Sequence, residues 1–430
     1  MTVAIVKFDA FPDSLVKAVE LCNGFERLHS SDRVLLKPNI TFCGRMPPYG
    51  MVTTSRVVDG VIRLLLERGC RDIRIGEGSV EVVGSSTGRG YKWTGIDRVA
   101  RKHGVRLVDF NRGPFVAVDL GGVRVRVSRA AMEADFLINI PVLKTHGQTK
   151  VSLGMKNLKG CLSTASKSKS HSRNRLDHLI CQLNNAIRSD LTIIDGTYML
   201  ESGPDTLLGT AHRKDLIIAG QDVFACDVIG ATILGVDPSQ VGYLREYAEA
   251  HGRSVDVKTI DTAGEDLAGL KEDLDWKVDL SRELFAPAGV TGFSVPHPGE
   301  TLCSRCYATL AFALLVFAAD NPGRDFGGVE LCCGQEARPS NDARRVFLYG
   351  DCALRGNKST PDACRIEGCP PGIIRTLFAL SNTLLSKPRV FRVMLPRITK
   401  LIGIRLGVYD QHCAKWERYH SGLFDRNHFR

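Results

Sequence analysis

Short apolar runs alternate with stretches of helical spacing over the first 240 or so residues. Val3–Phe8 reads as a strand, Ser14–Leu28 as a helix and Arg33–Leu36 as a second strand. Ser55–Arg68 has the spacing of a helix capped by Thr54 or Ser55, and the strand Asp72–Ile75 follows it. Next come a helix over Ile96–His103, a strand over Arg106–Asp109, and a hairpin of Phe115–Leu120 with Val123–Val127 that turns at Gly121–Gly122. Further strands fall at Phe136–Ile140, Leu191–Ile194 and Asp215–Ile218, with helices at Leu176–Arg188 and Asp222–Leu234. This alternation predicts an α/β domain over residues 1–254, a largely parallel sheet with helices on both faces. Between 255 and 296 the pattern lapses into a connection or small subdomain. Residues 297–385 make a smaller, cysteine-rich C-terminal domain, and 386–430 a basic tail.

Open sheets of this kind take ligands beyond the carboxyl ends of their strands, and the polar residues fall there. Lys37 and Asn39 follow one apolar run, Glu77 another, Asn139 and Lys144 a third, and Asp195 a fourth. The densest stretch is 134–161, where an apolar strand ends in Pro141 and Lys144, His146, Lys150, Lys156, Asn157 and Lys159 follow in quick succession. Buried-strand chemistry explains the first part of it but not the lysines, which point to an acidic or phosphorylated small molecule. On this reading Lys37, Lys144, Lys156 and Lys159 hold the anion, and Asn39, Asn139 and Asn157 orient it. His146 is the proton donor or acceptor, and Asp195, Glu201 and Glu77 serve as acid, base or metal ligands. The bland alternative is that these carboxylates neutralise the neighbouring lysines. Lys167, Lys169, His171 and Arg173 form either a solvated basic loop or a lid over the ligand.

With 43% hydrophobic and 24% charged residues the chain can bury a core without disulfides. Its formal charge of +10 favours acidic partners, but no helix-turn-helix, RNP or zinc-finger spacing supports nucleic-acid binding. The opening residues lack the basic segment and cleavage site of a secretion signal, so a cytoplasmic protein is expected. The longest apolar run, Ala308–Ala319, is too short to span a bilayer. The tail, Arg389–Leu406, is expected to dock on the protein, with a membrane surface or a redox partner subunit as alternatives. The glycines at 75–90 lack dinucleotide-loop spacing, and no NAD is expected.

Four motifs carry a family resemblance. They are LKPNI at 36–40, INIPVLKTHGQTKVSLGMKNLKGC at 138–161, IIDGTYMLESGP at 193–204 and AGQDVFACDVIGATILGVD at 219–237. Over roughly residues 1–250 the chain resembles domain-of-unknown-function family 362. The resemblance implies an α/β domain and a frequent association with iron–sulfur clusters. It singles out Lys37, Asn39, Lys144, His146, Lys156, Asn157, Lys159, Asp195, Glu201 and Asp227 as matching polar positions. Many members carry a ferredoxin-type segment, which this chain lacks.

Any cluster must therefore come from this chain's own 14 cysteines, which without a secretion signal read as metal or redox chemistry. Cys303 and Cys306 form a C-x2-C pair at the start of an apolar helix, whose N-terminal amides favour the thiolate. Cys352 follows a strand, and Cys369 precedes two prolines. These four complete the thiolate set of a 4Fe–4S cluster; structural zinc and unligated core thiols are the alternatives. Cys332, Cys333 and Cys364 are spare ligands or a redox dithiol. The leading reading is an iron–sulfur protein doing redox chemistry on an acidic small molecule, an oxidoreductase if it is an enzyme. The alternatives are a non-enzymatic electron carrier or assembly factor, and a racemase-like enzyme with structural zinc.

Overall fold

The computed structural model describes residues 1–41, 49–80, 86–171, 176–204 and 208–385. The tail, Cys43 and Cys413, Arg173, and the side chains of Lys169 and His171 lie outside the described residues. The chain divides into two units, Met1–Trp276 and one that opens at Lys277. The stretch 255–296, expected to be a connection, is thus shared between them.

In the first unit, the strands in chain order are β1 (Val3–Lys7), β2 (Val34–Pro38), β3 (Ile73–Glu77), β4 (Arg106–Asp109), β5 (Phe115–Asp119), β6 (Arg124–Ser128), β7 (Phe136–Ile140), β8 (Val142–His146), β9 (Lys150–Val151), β10 (Leu191–Glu201), β11 (Thr210–Gly220) and β12 (Thr262–Gly264). Among the described residues the main sheet runs β12-β1-β11-β10-β7-β2-β3-β4, with β8 added on β10 and β9 on β8. From β10 to β4 every pairing is parallel; β11 is antiparallel to both its neighbours. The expected hairpin, β5 with β6, stands apart. Every residue of β2, β7 and β8 is buried, as central strands covered on both faces must be.

Two differences from the sequence pattern bear on the site. Pro141 does not stop the sheet, because its carbonyl accepts the Asp195 N–H at 2.8 Å and the chain resumes as β8. β10 and β11 extend well beyond their predicted limits as one long antiparallel ribbon, bulged between Gly196 and Tyr198. The helix Val223–Ile233, apolar on nearly all sides, packs with β1, β10 and β11. Val255, Val257, Ile260, Leu267, Leu270, Leu274 and Trp276 close over the same core, and β12 pairs with β1. That apolar content makes 255–276 part of the first unit.

In the second unit β13 (Thr291–Ser294), β14 (Asp325–Cys333), β15 (Arg345–Tyr349) and β16 (Cys364–Ile366) form a wholly parallel sheet in chain order. The apolar helix Ser304–Asp320 crosses from β13 to β14, and helices Gly350–Gly356 and Ile373–Leu384 follow β15 and β16. Among the described residues no helix is long and apolar enough to cross a membrane.

Candidate functional site

The motifs of the first unit converge on a buried polar network at the carboxyl ends of β2, β3, β7 and β8. Lys37, on β2, is fully buried, and its Nζ donates to Glu77 Oε2 (2.9 Å), the Pro38 carbonyl (3.0 Å) and Asn157 Oδ1 (3.2 Å). Those three bonds use all the hydrogens an ammonium has. Glu77 accepts in addition from the amides of Ile40 (3.1 Å) and Gly78 (2.7 Å). Asn157 joins the strands: its Nδ2 donates to Asn139 Oδ1 at 2.8 Å, and its Oδ1 accepts from Asn39 Nδ2 at 2.9 Å. Lys144 Nζ donates to Asn39 Oδ1 (2.8 Å) and to the Met51 carbonyl (2.7 Å). Gly160 backs onto the ion pair so closely that a Cβ there would stand 2.3 Å from Glu77 Oε1 and 2.7 Å from Lys37 Nζ. Lys37, Asn39, Asn139, Lys144 and Asn157 are thus brought together. As built, Lys37 serves the network and has no hydrogen left to offer an anion.

Lys167 adjoins this network. It donates to the Gly78 carbonyl and to Asn111 Oδ1 (2.9 Å), and burial pulls its ammonium down to about 8. It is tethered to the β3 end rather than held out as part of a lid. Cys161 lies in the same neighbourhood, its thiol pushed up to about 12 by burial. Lys156 lies on the short helix of Asn157, and Lys159 on the turn that follows it. Burial, and then the charge of Lys159, holds Lys156 well below the ordinary lysine range, and its Nζ donates to Ser152 Oγ at 3.0 Å.

The proposed acid–base groups are dispersed. Asp195 takes the Thr54 amide at 2.7 Å and the Thr197 hydroxyl at 2.7 Å, which ties β10 to the start of helix Ser55–Glu67. Burial raises its carboxyl. Glu201, six residues on, pairs with His212 Nε2 (2.9 Å) and accepts the Asp275 amide (2.9 Å). The expected Asp195–Glu201 carboxylate pair is therefore not assembled, because a strand separates six residues by about 20 Å. His146 is buried two residues past Lys144 on the same strand face. Its Nδ1 accepts from the amides of Gln148 (3.1 Å) and Thr149 (3.3 Å), which leaves the neutral ring's proton on Nε2.

The sequence pattern gave Asp227 no task, and its role is visible only in three dimensions. From helix Val223–Ile233 its carboxylate accepts the amides of Gly154 (2.6 Å) and Met155 (3.0 Å) and the Tyr243 hydroxyl (3.2 Å). It thereby anchors the short helix that presents Asn157, and burial raises its carboxyl to about 7.

The second unit holds the cysteine group. Cys303 caps helix Ser304–Asp320 and Cys306 lies in its first turn; Cys352 begins the helix after β15, and Cys369 follows β16. Each lies past the carboxyl end of a parallel strand. The Cys306 thiol donates to Cys303, which brings Cys303 down to about 6 and drives Cys306 far up. Cys352 and Cys369 add their charges to that shift, so all four thiols lie within electrostatic reach of one another. A Cβ at Gly350, whose φ is +83°, would stand 3.7 Å from Cys306 Sγ. Arg355 donates to Cys352 Sγ at 3.2 Å. Among the described residues no group of three or more His, Cys, Asp or Glu side chains is placed to hold a metal ion. Cys332 and Cys333 are buried, with thiols pushed up by burial, and Cys364 faces Thr383.

Residues 34–232 match the model of a family described as Domain of unknown function (DUF362). The chain is similar to the thylakoid-associated protein sll1697 of Synechocystis sp. (strain ATCC 27184 / PCC 6803 / Kazusa), 32% identical over 215 residues. That match takes in 49% of this chain and 65% of the relative, so the chain spans about two thirds of the relative's length at most. Among solved structures it is similar to the lactate racemase apoprotein of Thermoanaerobacterium thermosaccharolyticum, at 11% identity and a TM-score of 0.37 over 90% of this chain and 91% of that one. So slight a likeness informs neither substrate nor chemistry.

Proposed function

Residues 34–232 belong to the DUF362 family, and from that premise we propose that the chain is an iron–sulfur protein acting in redox chemistry on an acidic or phosphorylated small molecule. The observation that carries this reading is the gathering of Cys303, Cys306, Cys352 and Cys369 from three strand ends of the second unit. The donor set fits the group: it is all thiol, and Cys303, at a helix N-terminus, is brought down to about 6 by the Cys306 thiol beside it. When bound, a 4Fe–4S cluster would supply one-electron transfer. The chain's own contribution is to hold thiolates at that edge, to aim Arg355 at Cys352 and, in the first unit, to keep His146 with a proton on Nε2.

A carrier or assembly role is favoured by one feature, the exposure of Cys369 beside Ile374 and Phe378, which are 56% and 40% exposed on the following helix. The relative's thylakoid association supports attachment at a membrane surface, with the basic tail as the proposed contact.

Anaerobic purification with iron, zinc and acid-labile sulfide analysis tests the reading. About four irons and four sulfides per chain are expected, with iron lost in Cys303→Ser, Cys306→Ser, Cys352→Ser and Cys369→Ser. Stoichiometric zinc in a colourless protein would overturn it.

A further inference from the structure

The rim of the first unit carries a second cationic group, distinct from the lysines. Arg56 lies in the first turn of helix Ser55–Glu67, whose leading amide at Thr54 is held by Asp195. Arg213 lies on β11, opposite Tyr198 of β10. The Arg56 guanidinium stands 4.8 Å from the centre of the Phe11 ring and 5.6 Å from that of Phe8. That of Arg213 stands 5.7 Å from Tyr198, which packs on Tyr49. Each guanidinium has its own aromatic neighbours, and the two are close enough that burial, then the Arg213 charge, pull Arg56 below the ordinary arginine range, against a smaller opposing pull from the Asp215 carboxylate.

Their partners differ. Arg213 Nε donates to Asp215. Arg56 has no ion pair among the described residues, and its buried Nε has no hydrogen-bond partner there. A buried guanidinium donor left unsatisfied beside a second guanidinium is stable only at a cost, and an oxyanion relieves both terms at once. The position agrees: this is a helix N-terminus at the carboxyl ends of the sheet, where such folds hold anions.

We propose that Arg56 and Arg213 hold an oxyanion group, carboxylate or phosphate, of this protein's ligand between aromatic walls. The inference rests on the acidic-ligand reading above and moves its anchor from Lys37 and Lys144 to the arginines.

The test is the thermal midpoint of the full chain, titrated with inorganic phosphate and separately with succinate at fixed ionic strength. Variant Arg56→Gln is titrated alongside, with Lys258→Gln, an exposed lysine outside the proposed site, as the control. At least one probe should raise the wild-type midpoint, the two titrations telling phosphate from carboxylate. Arg56→Gln should weaken that effect by about tenfold or more, and Lys258→Gln should leave it intact. If Arg56→Gln does not fold, Arg56→Lys, which keeps charge but loses the planar fork, should weaken it by a smaller factor. Binding kept undiminished in the Arg56 variants would overturn this inference while sparing the acidic ligand. Failure of both probes to shift the wild type would sink both, and the iron analysis would stand independently.

Discussion

The Lys37–Asn157 network and the cysteine group each collect reactive side chains at the carboxyl ends of parallel strands, yet they are built in opposite ways. In the network, Lys37 gives all three of its hydrogens to protein acceptors, and Glu77, Asn39, Asn139 and Asn157 complete one another across strands. In the cysteine group the thiols meet mainly each other; Cys303 and Cys352 are partly exposed and Cys369 is exposed. A polar group whose bonds are completed inside the protein fixes structure. One whose lone pairs remain open is available to a ligand.

The largest expected effect breaks the network. Glu77→Gln removes the counter-charge of a fully buried ammonium, and breaking such a pair costs about 3–5 kcal/mol. Urea unfolding of the purified chain measures it. Cys369→Ser in iron-free protein should change stability by less than about 0.5 kcal/mol. Equal stabilities for the two variants would return Lys37 to the list of ligand-binding candidates.

Next in size is Asp227, which anchors the helix carrying Asn157. Its folded-state carboxyl titrates near 7 against an ordinary 3.8. The folded chain thus holds this proton more tightly than the unfolded one. The stabilising contribution is fully present below about pH 4 and is lost as pH rises through 7. The span is on the order of 4 kcal/mol. Asp227→Asn should be less stable at low pH, because one of the Gly154 and Met155 amides loses its acceptor. Its stability should also be flatter between pH 4 and 8 than that of wild type. An unchanged slope would mean that Asp227 is ionised throughout and that its amide bonds outweigh burial.

Much of this was legible in the sequence, and the failures have physical causes. Period and breaker residues located the central strands, because β2 and β7 are largely apolar runs buried on both faces. Residue type also located the network. What it does not carry is which partner a lysine meets: Lys37 and Glu77 are forty positions apart and become an ion pair only when β2 and β3 align. Asp195 and Glu201 looked like a pair because they are near in sequence, but an extended strand drives such residues apart. Arg56 and Arg213 drew no attention since each sits alone in an unremarkable stretch; only the β10–β11 register and the cap at Thr54 bring them near one another. In the second unit Cys303, Cys352 and Cys369 each fall past the end of a parallel strand, and whether they hold a metal group is what the iron analysis decides.

The smallest expected effect sharpens the comparison from the cysteine side. Arg355 donates to Cys352 Sγ at 3.2 Å, a charged donor on a sulfur with open lone pairs, whereas Lys37 is enclosed. Hydrogen bonds to ligand sulfur stabilise the more negative, reduced form and so raise the potential. Because Cys352 is partly exposed, solvent screens the interaction, and a few tens of millivolts is the expected scale. If the proposed cluster is bound, Arg355→Ala should therefore lower its midpoint potential by that amount, read by optical redox titration, with iron content unchanged. A variant that keeps its iron and its potential would show that Arg355 only packs over the site. A variant that loses its iron would make Arg355 a structural support for Cys352, and the two regions would then be less different than their hydrogen bonds suggest.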